Sequence, residues 1–355
     1  MRIGLLTIHH ADNYGSALQC YATQRMLTEL GHEAVILDYI CPKIDGEYGV
    51  HRIISQHGII RKLEAAVRVF YLIRARKAFQ RFREQYYKMA PFDRNQQEEY
   101  DFFLVGSDQV WNYQITGCDR TYLLDFVKEN GKKISYASSF GISQLPSGLA
   151  PAYKELLSGF SALSVREEEG AALIEKLVGR KVPVVIDPVF LVPKLQWEAI
   201  AEIPERKGYI LLYYIAYSQT LMDFAQGLAQ KTGKTIVSIQ GSLRRRIEAE
   251  YIWDAGPAEY LGLIMNADYV ITNSFHGTAF SLIFHKKFFV EMLPSFEKTN
   301  SRLNNIIRLF GMEKRLILDG QSLSIDEEPD DGKIDRVIRE EKQRAAEYLT
   351  TAIPV

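Results

Sequence analysis

The sequence predicts an α/β fold of two doubly wound, Rossmann-like domains facing a cleft. Three observations predict it. Short apolar runs alternate with stretches of helical period along most of the chain, the pattern of mostly parallel sheets covered by helices. At 355 residues the chain exceeds one ordinary hydrophobic core, so it divides. The two halves also echo each other: "TIHHADNYGSALQ" and "VITNSFHGTAFS" each run from a strand through a small polar turn with glycine into a helix.

In chain order, a strand at Ile3–Ile8 leads to a helix at Ser16–Leu30, which Gly31 ends, and to a strand at Ala34–Asp38. A long helical pattern covers residues 60–88. Strands follow at Phe102–Val105, Lys133–Ala137, Ala162–Val165 and Val184–Ile186, with a helix at Glu168–Val178. "DPVFLVPKLQWEAIAEIPERKG" holds several prolines and a charged turn, which sets a boundary near residues 190–207. Strand patterning restarts at Tyr209–Ile215 and recurs at Thr235–Ile239, Tyr269–Thr272, Lys287–Val290 and Arg315–Leu318. Helices are expected at Thr220–Thr232, Pro257–Asn266, Thr278–Phe284 and Arg302–Phe310. The acidic, turn-rich stretch 319–333 reads as a linker and residues 333–352 as a last helix. The expected division is therefore 1–200 and 208–318, with helix 333–352 returning to the first domain.

Composition narrows the class. Hydrophobic content of 47% and charged content of 25% are those of a soluble globular protein. A formal net charge of −1 offers no general polyanion surface, so no nucleic-acid partner is expected. The apolar part of "MRIGLLTIHH" is too short for a signal peptide, and no run approaches the roughly 20 residues of a membrane span. Cys20, Cys41 and Cys118 are scattered and odd in number, as in a reduced cytoplasmic protein without a disulfide framework or zinc site. Residues 60–88 carry nine Lys or Arg against Glu64 and Glu84. They read as a solvated basic face, or as a face for an anionic substrate or for anionic lipid headgroups at the inner side of a membrane.

Polar residues gather after the strands. "HHADNYGS", "GSDQVWN", "SSFG", Arg166-Glu167, Asp187-Pro188 and "NSFHGT" each follow a strand end. Ligands of open α/β sheets bind at the carboxyl ends of strands, so these loops outline one polar cleft. In "NSFHGT", the first amides of the following helix and its dipole favour an anion. Gly277 leaves room for an oxyanion to approach the backbone. Ser274 or Thr278 caps the helix or binds an oxygen. His276 is a donor, a charge or an acid, or else a structural histidine. Arg166 suits a bidentate clamp on phosphate or carboxylate, or a salt bridge with a neighbouring Glu. Arg302 opens another helix and faces either the cleft or solvent. Asp108 and Trp111 suit a sugar, through carboxylate hydrogen bonds and ring stacking, although Trp111 equally suits interdomain packing.

"HHADNYGSALQCYATQRML", "FFLVGSDQVWN", "KISYASSFG", "ALSVREEEG", "VVIDPVFL" and above all "ADYVITNSFHGTAFSLIFHKKF" resemble the polysaccharide pyruvyl transferase family, in order from about residue 3 to residue 310. Its members are similar to two-domain glycosyltransferases of the GT-B type. Characterised ones transfer a pyruvyl group from phosphoenolpyruvate to a sugar of a cell-surface polysaccharide as a cyclic ketal. The resemblance implies phosphoenolpyruvate as donor, a saccharide acceptor that is free or lipid-linked, and no cofactor or metal; the His and Asp residues show no ligand spacing. It implies catalytic roles for His276, Arg166 and Asp187. It implies substrate contacts for Asn13, Tyr14, Gly15, Ser107, Asp108, Trp111, Asn273, Ser274, Gly277, Thr278 and Arg302. His276 would serve as acid or phosphate ligand, and Asp12, Asp108, Glu167 or Asp187 as base. Two other readings share the fold: a nucleotide-sugar glycosyltransferase, and a non-catalytic member that binds glycans or scaffolds their assembly.

Overall fold

Strand pairing sorts the chain into two five-stranded sheets, each wholly parallel. The computed structural model describes residues 1–48, 59–95, 97–239, 245–292, 300–318 and 324–354. The first sheet holds β1 (Arg2–Leu6), β2 (Glu33–Asp38), β3 (Met89–Pro91), β4 (Phe102–Val105) and β5 (Lys133–Ser135), in the order β3-β2-β1-β4-β5. The second holds β6 (Tyr209–Tyr213), β7 (Ile236–Ile239), β8 (Glu250–Ile252), β9 (Ala267–Thr272) and β10 (Lys287–Val290), in the order β10-β9-β6-β7-β8. The central strands are apolar and buried along nearly their whole length because helices cover both faces of each sheet.

Helices α1 (Tyr14–Glu29), α2 (Pro42–Tyr48), α3 (Ile59–Tyr86), α4 (Tyr113–Thr116), α5 (Ala150–Ser158), α6 (Glu168–Val178) and α7 (Lys194–Ile200) accompany or follow the first sheet. Helices α8 (Gln219–Thr232), α9 (Pro257–Asn266), α10 (Phe275–Ile283) and α11 (Ser301–Phe310) accompany the second, and α12 (Asp331–Ala352) closes the chain. Helix α1 buries residues on nearly every side, because it packs on β2 and also on α9 and α10 of the other sheet. Tyr14 lies flat on Tyr260, ring centroids 4.4 Å apart, and its hydroxyl donates to the Ala255 carbonyl. Trp197 sits between Tyr21 and Phe280. These aromatics join the two sheets' layers through one continuous core.

Two long helices also bridge the layers. On α12, Asp331 and Asp335 flank His285, which follows α10, whereas the Tyr348 hydroxyl donates to the Ser135 carbonyl of β5. On α3, Arg74 pairs with Asp254 and Arg81 with Glu259, while Arg76 and Arg83 both reach Asp12. The expected solvated basic face is thus largely an array of ion pairs; the side chains of Arg61, Lys62 and Arg68 lie outside the described residues. So does the first part of the expected linker, residues 319–323. Among the described residues no helix is long and apolar enough to cross a membrane.

Some expected strands shrink. Ala162–Val165 and Val184–Ile186 extend the first sheet only by isolated bridges, Ile134 to Ala162, Ser138 to Val165 and Val165 to Val184. Pro183 accepts from the Val165 amide but has no N–H to return, which limits the ladder. The strand expected at Arg315–Leu318 is one bridge, Val290 to Leu316, after a short 3₁₀ turn. The short edge strands β3 and β8 were not expected; each is three residues long, too short for a period to show.

Candidate active site

Each sheet reverses its strand order once. In the first, β2 lies on one side of β1 and β4 on the other; in the second, β7 and β9 flank β6. A crevice forms outside the carboxyl ends of strands at such a switch point. The two crevices here face each other. A cavity of about 210 Å³ is lined by Ile8, Asn13, Ser16, Asp108 and Gln109 from the first and by Tyr213, Ile215, Ser274, His276 and Arg302 from the second.

Arg166 lies behind this cavity, next to its lining residues Phe275 and Asp108. It is buried, and one terminal nitrogen, Nη1, donates to Asp187 and to the Ser107 hydroxyl. Its other terminal nitrogen, Nη2, lies 3.9 Å from Asp108, and Nε and Nη2 are buried without a hydrogen-bond partner. The guanidinium stands 4.9 Å over the Phe275 ring at the start of α10. Arg302, at the start of α11, comes close enough that burial and the charge of Arg166 push its pKa down to about 10. Its Nε is likewise buried without a partner. Arg302 lines the first cavity, and both arginines line a second one, of about 470 Å³, with Phe190, Asn305, Arg308 and Arg344. Two like charges left partly unanswered in a buried site favour an anion between them.

Asp187 answers part of that charge. Burial alone would raise its pKa, but Arg166 and then His276 outweigh burial and hold it well below the usual range. Its other oxygen accepts from the Val189 amide. His276 Nε2 lies 3.7 Å from Asp187 and has no hydrogen-bond partner, so it is free to meet a ligand. The ring is seated against Gly15, where any Cβ would overlap it. Asp108 holds a left-handed backbone, φ 76°, that an Asp adopts at some cost. Its carboxylate accepts from the Ser16 hydroxyl at 2.5 Å and the Gln109 amide at 2.8 Å.

The structure therefore brings together Arg166, Asp187, His276, Ser107, Asp108, Ser274, Gly15, Asn13 and Arg302. It withdraws others from ligand contact. Trp111 is fully buried between Phe140 and Phe160, with its indole N–H on the Tyr122 carbonyl, and has no face for a sugar. The Tyr14 ring is spent on Tyr260 and Phe79. Asn273 uses both side-chain groups on the Ile215 amide and the Ala216 carbonyl, pinning the loop after β6. Gly277 faces Thr272 of its own strand, so its missing side chain serves strand–helix packing rather than an oxyanion. The buried Thr278 hydroxyl donates to the Ser274 carbonyl. Asn13 and Ser274 act as N-caps of α1 and α10. Of the expected bases, Asp12 is held by Arg76 and Arg83, and one Glu167 oxygen by the Ser139 hydroxyl and the Phe140 and Gly141 amides.

One cluster was missed. Parallel pairing sets the ends of β1 and β2 side by side and gathers His9, His10 and Asp38, three groups able to hold a metal ion. The adjacent histidines were the available signal; their carboxylate partner is 28 residues further on and visible only through the pairing.

Two Rossmann-like α/β domains with an arginine-rich site between their switch points define the class. A family model described as polysaccharide pyruvyl transferase matches residues 13–290, and the chain belongs to that family of transferases. No curated protein matches it in sequence. Among solved structures, a candidate UDP-N-acetylglucosamine 2-epimerase from Listeria monocytogenes is 9% identical, with 98% of this chain and 90% of that chain covered and a TM-score of 0.51. The UDP-GlcNAc 2-epimerase of Neisseria meningitidis, bound to UDP-GlcNAc, is 11% identical over 99% and 94% of the chains, TM-score 0.46. Arabidopsis thaliana UGT89C1, complexed with quercetin, is 10% identical over 99% and 92%, TM-score 0.44. At these identities the likeness concerns the fold alone.

Proposed function

We propose that the chain is a pyruvyltransferase that moves the pyruvyl group of phosphoenolpyruvate onto a sugar of a cell-surface polysaccharide or its precursor, as a cyclic ketal. One observation carries the reading: Arg166 and Arg302 are set together with buried nitrogens left without partners, beside the free edge of His276. Phosphoenolpyruvate carries a phosphate and a carboxylate a few bonds apart and matches two guanidinium groups. The division into residues 1–200 and 208–318, with α12 returning to the first domain, is part of the proposal.

In this reading the arginines grip the donor's anionic groups, and Asp187 orients Arg166. His276 gives a proton to the methylene carbon, which becomes a methyl group and leaves C2 electrophilic. An acceptor hydroxyl adds to C2 and passes its proton to Asp108. A second hydroxyl of the same sugar displaces phosphate, gives its proton to the departing phosphate and closes the ketal. We place the reaction in the cytoplasm at the inner face of the membrane, with a lipid-linked acceptor. The exposed Val67, Phe70 and Ile73 of α3 supply the apolar part of that contact.

Thermal shift separates the donors. Phosphoenolpyruvate should raise the melting temperature and a panel of UDP-sugars should not. The reverse result would identify a nucleotide-sugar glycosyltransferase, and no response to either would favour a glycan-binding or scaffold role.

A further inference from the structure

We propose that His9, His10 and Asp38 form a binding site for one divalent transition-metal ion, with zinc as the reference case. The site is separate from the arginine-rich cleft, and the inference does not rest on the proposed reaction.

The donor set comes first. Two imidazoles and a carboxylate suit zinc and its first-row neighbours better than magnesium or calcium, which prefer oxygen. The three ligand atoms all lie within 4.8 Å of one another. His9 Nε2 stands 3.2 Å from the Asp38 oxygen and His10 Nε2 stands 2.5 Å from the same oxygen. Ligands at about 2.0–2.2 Å from a common ion sit roughly 3–3.5 Å apart, so the His9 contact already fits and the His10 contact must open.

The orientation of His9 is the stronger argument. Its ring is buried, and Nδ1 lies 3.1 Å from the Thr7 carbonyl. A carbonyl only accepts, so Nδ1 carries the hydrogen and donates. A neutral ring then turns its Nε2 lone pair toward a carboxylate oxygen that also has only lone pairs. A cation between the two atoms would satisfy both lone pairs. A metal-ligating histidine is held in this same way, with its far nitrogen on a backbone carbonyl.

The surroundings leave room for the ion. The cluster lines a cavity of about 420 Å³ that also holds Asp12, Arg76 and Arg83. Arg76 and Arg83 are both engaged by Asp12, so their charge is partly answered before it reaches the cluster. With three protein ligands, the ion keeps open positions toward the cavity for water or a ligand oxygen.

The test uses the full chain, stripped with chelator and titrated with zinc by calorimetry and with cobalt by visible absorption. One ion per chain is expected, with the cobalt spectrum of a low-symmetry nitrogen–oxygen site. His10→Ala and Asp38→Asn should each weaken zinc by at least about 100-fold. His10 is partly exposed, so its variant is expected to fold. His285→Ala, which removes the surface histidine between Asp331 and Asp335, should change nothing. Absence of uptake, with His9 doubly protonated by nitrogen NMR, would mean that a proton fills the gap and would overturn the proposal. Uptake unaffected by His10→Ala and Asp38→Asn would overturn it as well.

Discussion

Arg166 gives one terminal nitrogen to Asp187 and keeps Nε and Nη2 without partners, and in the proposed reaction that asymmetry lets it take an anion rather than close a salt bridge. Removing Arg302 should weaken phosphoenolpyruvate binding by about 30-fold or more, since a buried charge partner is worth roughly 2–5 kcal/mol. Calorimetric titration of Arg302→Ala checks this, with circular dichroism to confirm the fold. Asp187 makes a separate prediction. Its folded-state pKa is depressed below the ordinary 3.8, so its stabilising contribution is fully present above that value and is lost as pH falls through the folded value. Asp187→Asn should therefore flatten the acid limb of stability below about pH 4. At neutral pH it should cost about 3 kcal/mol, because Arg166 is left buried without its counter-charge. Denaturant melts of both proteins across this range test it, and an unchanged acid limb would contradict the assignment.

At the scale of elements, two glycines that look alike in sequence do different work. Gly15 opens α1 and makes space for the His276 ring, whereas Gly277 makes space for Thr272 beneath α10. Gly15→Ala should displace His276 and cut turnover by about 100-fold while leaving the melting temperature near wild type. Gly277→Ala should instead destabilise the fold by about 1–3 kcal/mol through overpacking. Steady-state kinetics and thermal melts of the two variants separate the effects. The strand–turn–helix units were legible because period and turn chemistry are local: "VITNSFHGT" announced both β9 and the cap of α10. Long-range facts were not. Nothing local in "GSDQVWN" distinguishes Asp108, held in the cleft by Ser16, from Trp111, sealed in the core three residues later. The convergence of Arg166 and Arg302 likewise depends on how α6 and α11 meet.

For the whole molecule, the switch points of two sheets meet across one cleft, and α1, α3 and α12 tie the layers together. The ion pairs of α3 with Asp254 and Glu259 are partly exposed and contribute little each, about 1 kcal/mol or less. If the basic residues of α3 meet anionic lipid beside the exposed Val67, Phe70 and Ile73, sedimentation with anionic vesicles should fall with salt, as screening sets in within about 10 Å at 0.1 M. Phe70→Asp should weaken it, and equal sedimentation with neutral and anionic vesicles would remove the contact with anionic lipid. The central claim is that the paired arginines and His276 receive phosphoenolpyruvate. Isothermal titration of the intact chain with phosphoenolpyruvate tests it most directly. Saturable one-site binding is expected, weakened about 30-fold or more by Arg302→Ala and by Arg166→Ala, with inorganic phosphate competing weakly. Binding that persists undiminished in both variants, or its absence alongside tight binding of a UDP-sugar, would contradict it.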